Sequence, residues 1–215
     1  MAPAILAAMS QDAAPGTLRC SAPARANLIG NPSDWYGGAV LAASVPLRAR
    51  VRLEPADRIQ VAGPDGQIDI AGPGDLEPRG DSLDLARAVL RALGPGPACR
   101  IEYATEIPRQ SGLAGSTALL VALLRALLAW RGEHPGPYRL ASRARAVERD
   151  VLGVACGWTD AYMCVFGGVQ YMDFRGLEWD RPLGEAPFAT LEALADALPR
   201  LPIVLAQSGV RHHSG

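Results

Sequence analysis

The sequence predicts an α+β fold, with strands concentrated early in the chain and helices later. Two observations carry this. Segments with period-two alternation crowd the first half, and the 3.6-residue apolar periodicities follow in an order that is not regular β–α–β alternation. The composition agrees. Of 215 residues, 49 % are hydrophobic and 20 % charged, enough apolar side chain for a sizeable core.

Thr17–Ile29 alternates loosely and reads as a strand entering a turn of Gly30-Asn31-Pro32-Ser33-Asp34. In Val40–Leu53, read as one or two strands, Leu47, Ala49, Val51 and Leu53 alternate with Arg48, Arg50 and Arg52, giving one dry and one wet face. Arg58–Ala71 reads as a hairpin around Pro64-Asp65-Gly66, and Asp81–Leu93 as an amphipathic helix stopped by Gly94-Pro95-Gly96-Pro97. Cys99–Glu106 is the next expected strand. Ile107–Thr117 is a loop rich in small residues, leading into an apolar helix over Ala118–Trp130. Tyr138–Leu152 reads as an arginine-rich amphipathic helix and Asp160–Phe166 as a short helix; Gly168–Phe174 and Leu201–Gln207 read as strands.

The formal net charge of −1 gives no general attraction to nucleic acid or to an anionic membrane. The chain has no lysine, so any fixed cation in a site is an arginine or a metal. Cys20, Cys99, Cys156 and Cys164 are scattered, the pattern of buried thiols in a reducing compartment rather than of a disulfide framework. Residues 1–16 lack the basic start of a signal peptide and read as a loose extension. Leu113–Trp130 is long enough to be weighed as a membrane span, but Arg125 inside it costs about 2.5–3.5 kcal/mol at a bilayer centre. A buried core helix is the better reading, and a cytoplasmic location is expected.

The strongest chemical signal is Ile107-Pro108-Arg109-Gln110-Ser111-Gly112-Leu113-Ala114-Gly115-Ser116-Thr117-Ala118. Small residues let backbone amides approach phosphate oxygens, and the helix start behind them adds unpaired donors and partial positive charge. The Gly-Lys-Ser/Thr ending of a Walker loop is absent. A plain helix cap is the competing reading of Ser116 and Thr117.

Three stretches together resemble the GHMP kinases, the superfamily of galactokinase, homoserine kinase and mevalonate kinase. Pro-x-x-x-Gly-Leu-x-Gly-Ser-Thr-Ala at Pro108–Ala118 is similar to the family's second signature. Pro23–Asp34, followed by Gly37-Gly38, resembles the first. Gly153-x-x-x-Gly157-x-x-Asp160, followed by Gly167-Gly168, resembles the segment with the catalytic aspartate. Within the superfamily the Gly30–Asp34 and Ile107–Leu113 stretches look like glucuronokinase; where that family carries an arginine after the aspartate, this chain has Ala161.

The resemblance implies a ribosomal protein S5 domain 2-like fold over residues 17–198, with residues 199–215 opening a ferredoxin-like second domain that is mostly missing. It also implies ATP and Mg2+, and transfer of phosphate to a hydroxyl of a small molecule. The expected acceptor is a uronic acid or related sugar at its anomeric hydroxyl; the alternatives are another small alcohol, or a family member that binds nucleotide without turnover. Asp160 would be the base or orienter of the attacking hydroxyl, and Arg25 the cation against it. Pro108, Gly112, Leu113, Ala114, Gly115, Ser116, Thr117 and Ala118 would hold the ATP phosphates. Ser116 and Glu148 would share the magnesium ion, and Asn31 and Asp34 would bind the acceptor. Each residue has an ordinary reading beside this one: Asp160 a helix cap, Arg25 an exposed arginine, Glu148 an ion pair on a solvated helix, Asp34 a turn residue. His212 and His213 read as a surface pair or part of a substrate loop. No nucleic-acid or membrane partner is expected, and the sequence does not set the oligomeric state.

Overall fold

The computed structural model describes residues 16–176, 188–194 and 202–206. The expected extension over residues 1–16 (bar Gly16), the pair His212 and His213 and most of the expected second-domain start lie outside them. Among the described residues seven strands form one sheet: β1 (Leu18–Ile29), β2 (Ala39–Pro55), β3 (Ile59–Gly63), β4 (Gly66–Ile70), β5 (Cys99–Thr105), β6 (Val169–Asp173) and β7 (Thr190–Ala193). The described residues also form the helices α1 (Asp84–Leu93), α2 (Gly115–Trp130), α3 (Pro137–Ala146) and α4 (Thr159–Phe166).

β2 organises the sheet. It pairs with β1 on one side along most of its length. On the other side Ala49–Pro55 pairs with β5, while Ala39–Ala43 pairs with β6. The order is β4-β3-β5-β2-β6-β7, with β1 beside β2. A bulge interrupts the β1–β2 ladder between Pro23 and Ala24, opposite Val45–Arg48 and so beside Pro46. Proline has no N–H to give a ladder, so the register slips where both strands carry one.

Helix α2 is the centre of the core. It is apolar all round, as a helix enclosed on every side must be, and eleven of its residues are buried, including Leu120, Leu123 and Leu124. It packs on β1 and β2, and α4 packs on β1 beside it. Arg125, the one charge in α2, donates to the carbonyls of Ser21 at 3.3 Å and Val165 at 3.4 Å, tying β1 to the end of α4. No helix among the described residues is long and apolar enough to cross a membrane.

Three local expectations change. The apolar helix begins at Gly115, so Gly115, Ser116 and Thr117 form its first turn rather than a preceding loop. The segment read as a single helix over Tyr138–Leu152 divides into α3 and a wide π turn, Val147–Val151; such turns recur at functional sites. The strand expected at Leu201–Gln207 is not formed over residues 202–206, which are irregular and exposed. Among the described residues no strand pairs with it, and the strand on β6 is β7.

Candidate active site

The phosphate-type loop between β5 and α2 owes its shape to backbone conformation. Gln110, Gly112 and Ala114 all have positive φ, at 56°, 72° and 57°. Alternation of left- and right-handed residues turns successive N–H groups toward one side, the geometry of an anion-binding nest. Positive φ at Gln110 and Ala114 is uncommon for residues with a side chain, and such strain collects at ligand-holding segments. The N-terminus of α2 has no side-chain cap. Its first amides therefore keep their donors and partial positive charge. Gly112 and Ser116 are exposed, while Leu113, Ala114 and Ala118 pack into the core and offer backbone alone. Pro108 holds the loop's entry, its carbonyl accepting from Ser111 Oγ at 2.8 Å.

Arg25 links this loop to Asp160. From β1, its Nε and Nη2 reach Asp160 Oδ1 at 2.8 Å and 2.6 Å, while Nη1 donates to the Gly112 carbonyl at 2.5 Å. Its backbone N–H donates to Leu113 O at 3.1 Å. Asp160 lies in the first turn of α4, its side chain 32 % exposed against 11 % for Arg25. Its carboxyl is therefore open to solvent on one side and held by a guanidinium on the other. It is not the cap of α4, because the helix opens at Thr159 with Trp158 at the cap position.

Glu148 comes from the π turn and is 5 % exposed, so it is not on a solvated helix face. The hydroxyl that meets it is Thr117 Oγ1, at 2.6 Å, rather than that of Ser116, which faces outward one position earlier. Burial pushes the Glu148 carboxyl up to about 7, with the charge of Asp160 adding to the rise and the Thr117 hydrogen bond opposing it. Cys156 lies near Glu148, and burial pushes its thiol up to about 12, which keeps it protonated and unreactive.

Asp34 is buried at the start of α4. Its side chain is 3 % exposed. Oδ2 accepts from Trp158 N at 3.1 Å, Thr159 N at 3.3 Å and Thr159 Oγ1 at 3.0 Å. Asp34 is thus the cap of α4, supplied from a 3-10 turn 125 residues away in sequence. Gly157 permits the approach: a Cβ there would stand 2.1 Å from Asp34 Oδ2. Trp158 is fully buried, stacked on Phe188 at 4.2 Å and covered by the Arg145 guanidinium at 4.5 Å. Asn31 is exposed in the turn before Asp34. Sequence reasoning missed Thr117 as the partner of Glu148, the capping by Asp34, and the buried Trp158–Arg145 stack.

The site therefore consists of a glycine loop and helix terminus open to an anion, a carboxyl beside it, and a second carboxyl buried behind. Comparison with known proteins places this arrangement in a class. Residues 83–168 match the model of the GHMP kinases N terminal domain, and residues 10–55 match the galactokinase galactose-binding signature. Residues 83–168 thus carry the N-terminal domain of the GHMP kinases. The chain is 33 % identical over 174 residues to a mevalonate kinase of Methanothermobacter thermautotrophicus, covering 80 % of this chain and 56 % of that protein. It is 26 % identical to Glucuronokinase 1 of Arabidopsis thaliana, covering 86 % of this chain and 56 % of that one. Among solved structures, a D-glycero-D-manno-heptose 1-phosphate kinase from Bacteriodes thetaiotaomicron superposes with a TM-score of 0.67 at 29 % identity, covering 73 % of this chain and 56 % of the other. The chain thus spans about half the length of the relatives it matches.

Proposed function

We propose that this chain is the nucleotide-gripping part of an ATP-dependent kinase whose acceptor is a sugar hydroxyl, the anomeric hydroxyl of a uronic acid or related sugar. The observation that supports this most is Arg25, which bonds the Asp160 carboxyl and the Gly112 carbonyl at once and so sets a base beside an open anion-binding loop. In the proposed reaction the acceptor oxygen bonds to the γ-phosphorus as the bond from that phosphorus to the β–γ bridging oxygen breaks. Asp160 receives the acceptor's proton and ADP departs. The amides of Gly112–Thr117 hold the phosphates, and Arg25 keeps Asp160 aimed at the hydroxyl.

The residues present suit a magnesium ion. Glu148 is a buried carboxylate with no arginine paired to it among the described hydrogen bonds, and a cation would relieve the burial that raises it. Ser116 adds an exposed hydroxyl at the same helix start. Such an ion, held by Glu148, Ser116 and the nucleotide, would supply charge neutralisation at the phosphates.

The acceptor is the less constrained half of this reading. Ala161 is 1 % exposed and packed in the core, so a cation for a uronate carboxylate comes from elsewhere than the position after Asp160. The relatives are named for mevalonate, glucuronate and heptose chemistry. The test is a panel of uronic acids, neutral sugars, sugar phosphates and mevalonate, incubated with the chain, ATP and Mg2+, with ADP release as readout. Turnover with a uronic acid above the neutral sugars is expected. Turnover with mevalonate alone moves the acceptor class, and nucleotide binding with no acceptor turned over favours a binding role for this chain.

A further inference from the structure

We propose that the guanidinium of Arg145 is the cation that reads a carboxylate on the acceptor, which makes it a specificity-determining residue; this rests on the kinase reading and names the side chain that would select a uronic acid. Arg145 lies in the last turn of α3, three residues before Glu148, and is 9 % exposed. The charges of Asp34 and Glu148 both act on it. Even so, its side chain makes no hydrogen bond or ion pair among the described residues; its one contact of that kind is the face of Trp158. Arg87, equally enclosed, shows the ordinary arrangement, bonded to both Asp81 and Asp84. A buried charge without such partners is costly to keep. Burial accordingly lowers the pKa of the Arg145 guanidinium.

The surroundings of Arg145 lack a ligand of matching chemistry. Its Nε is enclosed without a partner, and so are Trp158 Nε1 and Asp34 Oδ1. Nearly all buried polar atoms in proteins are paired, so three orphans around one stack mark a place where polar atoms belong. Two of them donate and one accepts, which suits a molecule that carries an anion and a hydroxyl together. Trp158 is a fixed platform for the cation, since Phe188 stacks on the same indole with ring centroids 4.2 Å apart. A guanidinium over an aromatic ring still has the N–H groups of its edge to give, and that fork matches the two oxygens of a carboxylate. Trp158 also stands two residues before Asp160 and donates its N–H to Asp34. A carboxylate held on Arg145 therefore brings the rest of its molecule to the start of α4, where the proposed base sits.

The test compares glucuronate with glucuronamide, which keeps every hydroxyl but carries no charge, on the full chain and on Arg145→Met and Arg145→Lys. The readout is the ratio of the two KM values in the presence of ATP and Mg2+. The unmodified chain should favour the acid by about 10–100-fold, the worth of a hydrogen bond to a charged group. Methionine keeps an apolar stem over Trp158 and should bring the ratio close to one. Lysine keeps the charge without the fork and should fall between. A merely structural arginine affects acid and amide alike, so an unchanged ratio in Arg145→Met overturns the proposal. If the methionine variant does not fold, the lysine variant decides by the same ratio, and a ratio near one in the unmodified chain overturns the proposal outright. Mevalonate and its amide take the same places if that acid is the one turned over. If no acceptor is turned over, the kinase reading fails separately. Equilibrium dialysis with glucuronate then decides: retention that Arg145→Lys weakens sustains the carboxylate site, and no retention overturns it.

Discussion

Asp160→Asn should reduce phosphate transfer by about 10²–10⁴-fold, the range for loss of a positioned general base. Asparagine is the informative replacement because it keeps an oxygen for Arg25 Nε, now at 2.8 Å from the carboxyl, and so preserves the link to Gly112. What it loses is the capacity to take the acceptor's proton. Nucleotide binding, carried by the backbone of the loop and the start of α2, should be unaffected. Single-turnover transfer of labelled phosphate from ATP, with nucleotide affinity measured on the same samples, separates the two effects. A variant that transfers at the full rate would show that Asp160 handles no proton.

The second large effect concerns Glu148 and pH. Its carboxyl titrates near 4.5 in an unfolded chain and at about 7 in the folded one, chiefly because it is buried. Between those values the folded chain holds a proton that the unfolded chain has released. Stability is therefore fully present below about pH 4.5, falls as pH rises through the window, and levels off above about pH 7. Glu148→Gln should abolish that slope while keeping a hydrogen bond to Thr117 Oγ1. At pH 8 the variant should be the more stable by about 3 kcal/mol, from 1.36 kcal/mol per pKa unit. Chemical denaturation between pH 5 and 8 without nucleotide measures this directly, and parallel curves for the two proteins would contradict it. With Mg2+ and ATP the order should reverse, since a ligand bound only by the folded state stabilises it and the variant lacks the carboxylate to hold the ion.

The large elements were legible because their signals are local. The run Ala118–Trp130 is too apolar for a surface helix, and the β3–β4 hairpin closes between Gly63 and Gly66, around Pro64 and Asp65. The site was legible only through resemblance. Arg25 and Asp160 are 135 residues apart, and no spacing rule brings a β1 side chain to the start of α4. The capping of α4 by Asp34 had no local trace at all, because a cap delivered from another segment leaves the helix sequence itself looking uncapped. Glu148 misled for a related reason. Its neighbours Arg145 and Arg149 suggest a solvated, salt-bridged face, but Arg145 is itself buried over Trp158. Strand β7 was missed because Thr190–Ala193 is only four residues long and mostly exposed, too short a run to stand out, and its pairing with β6 is a matter of backbone register.

Phosphate transfer here depends on free amides at the bend before α2 taking a polyphosphate next to Asp160. Titration of the labelled chain with a non-hydrolysable ATP analogue and Mg2+, followed by amide NMR, tests this most directly. The largest shifts should fall on Gly112, Leu113, Ala114, Gly115, Ser116 and Thr117, with the Arg25 side-chain signal moving in step. Shifts confined to other parts of the sheet, or none at saturating analogue, would contradict it.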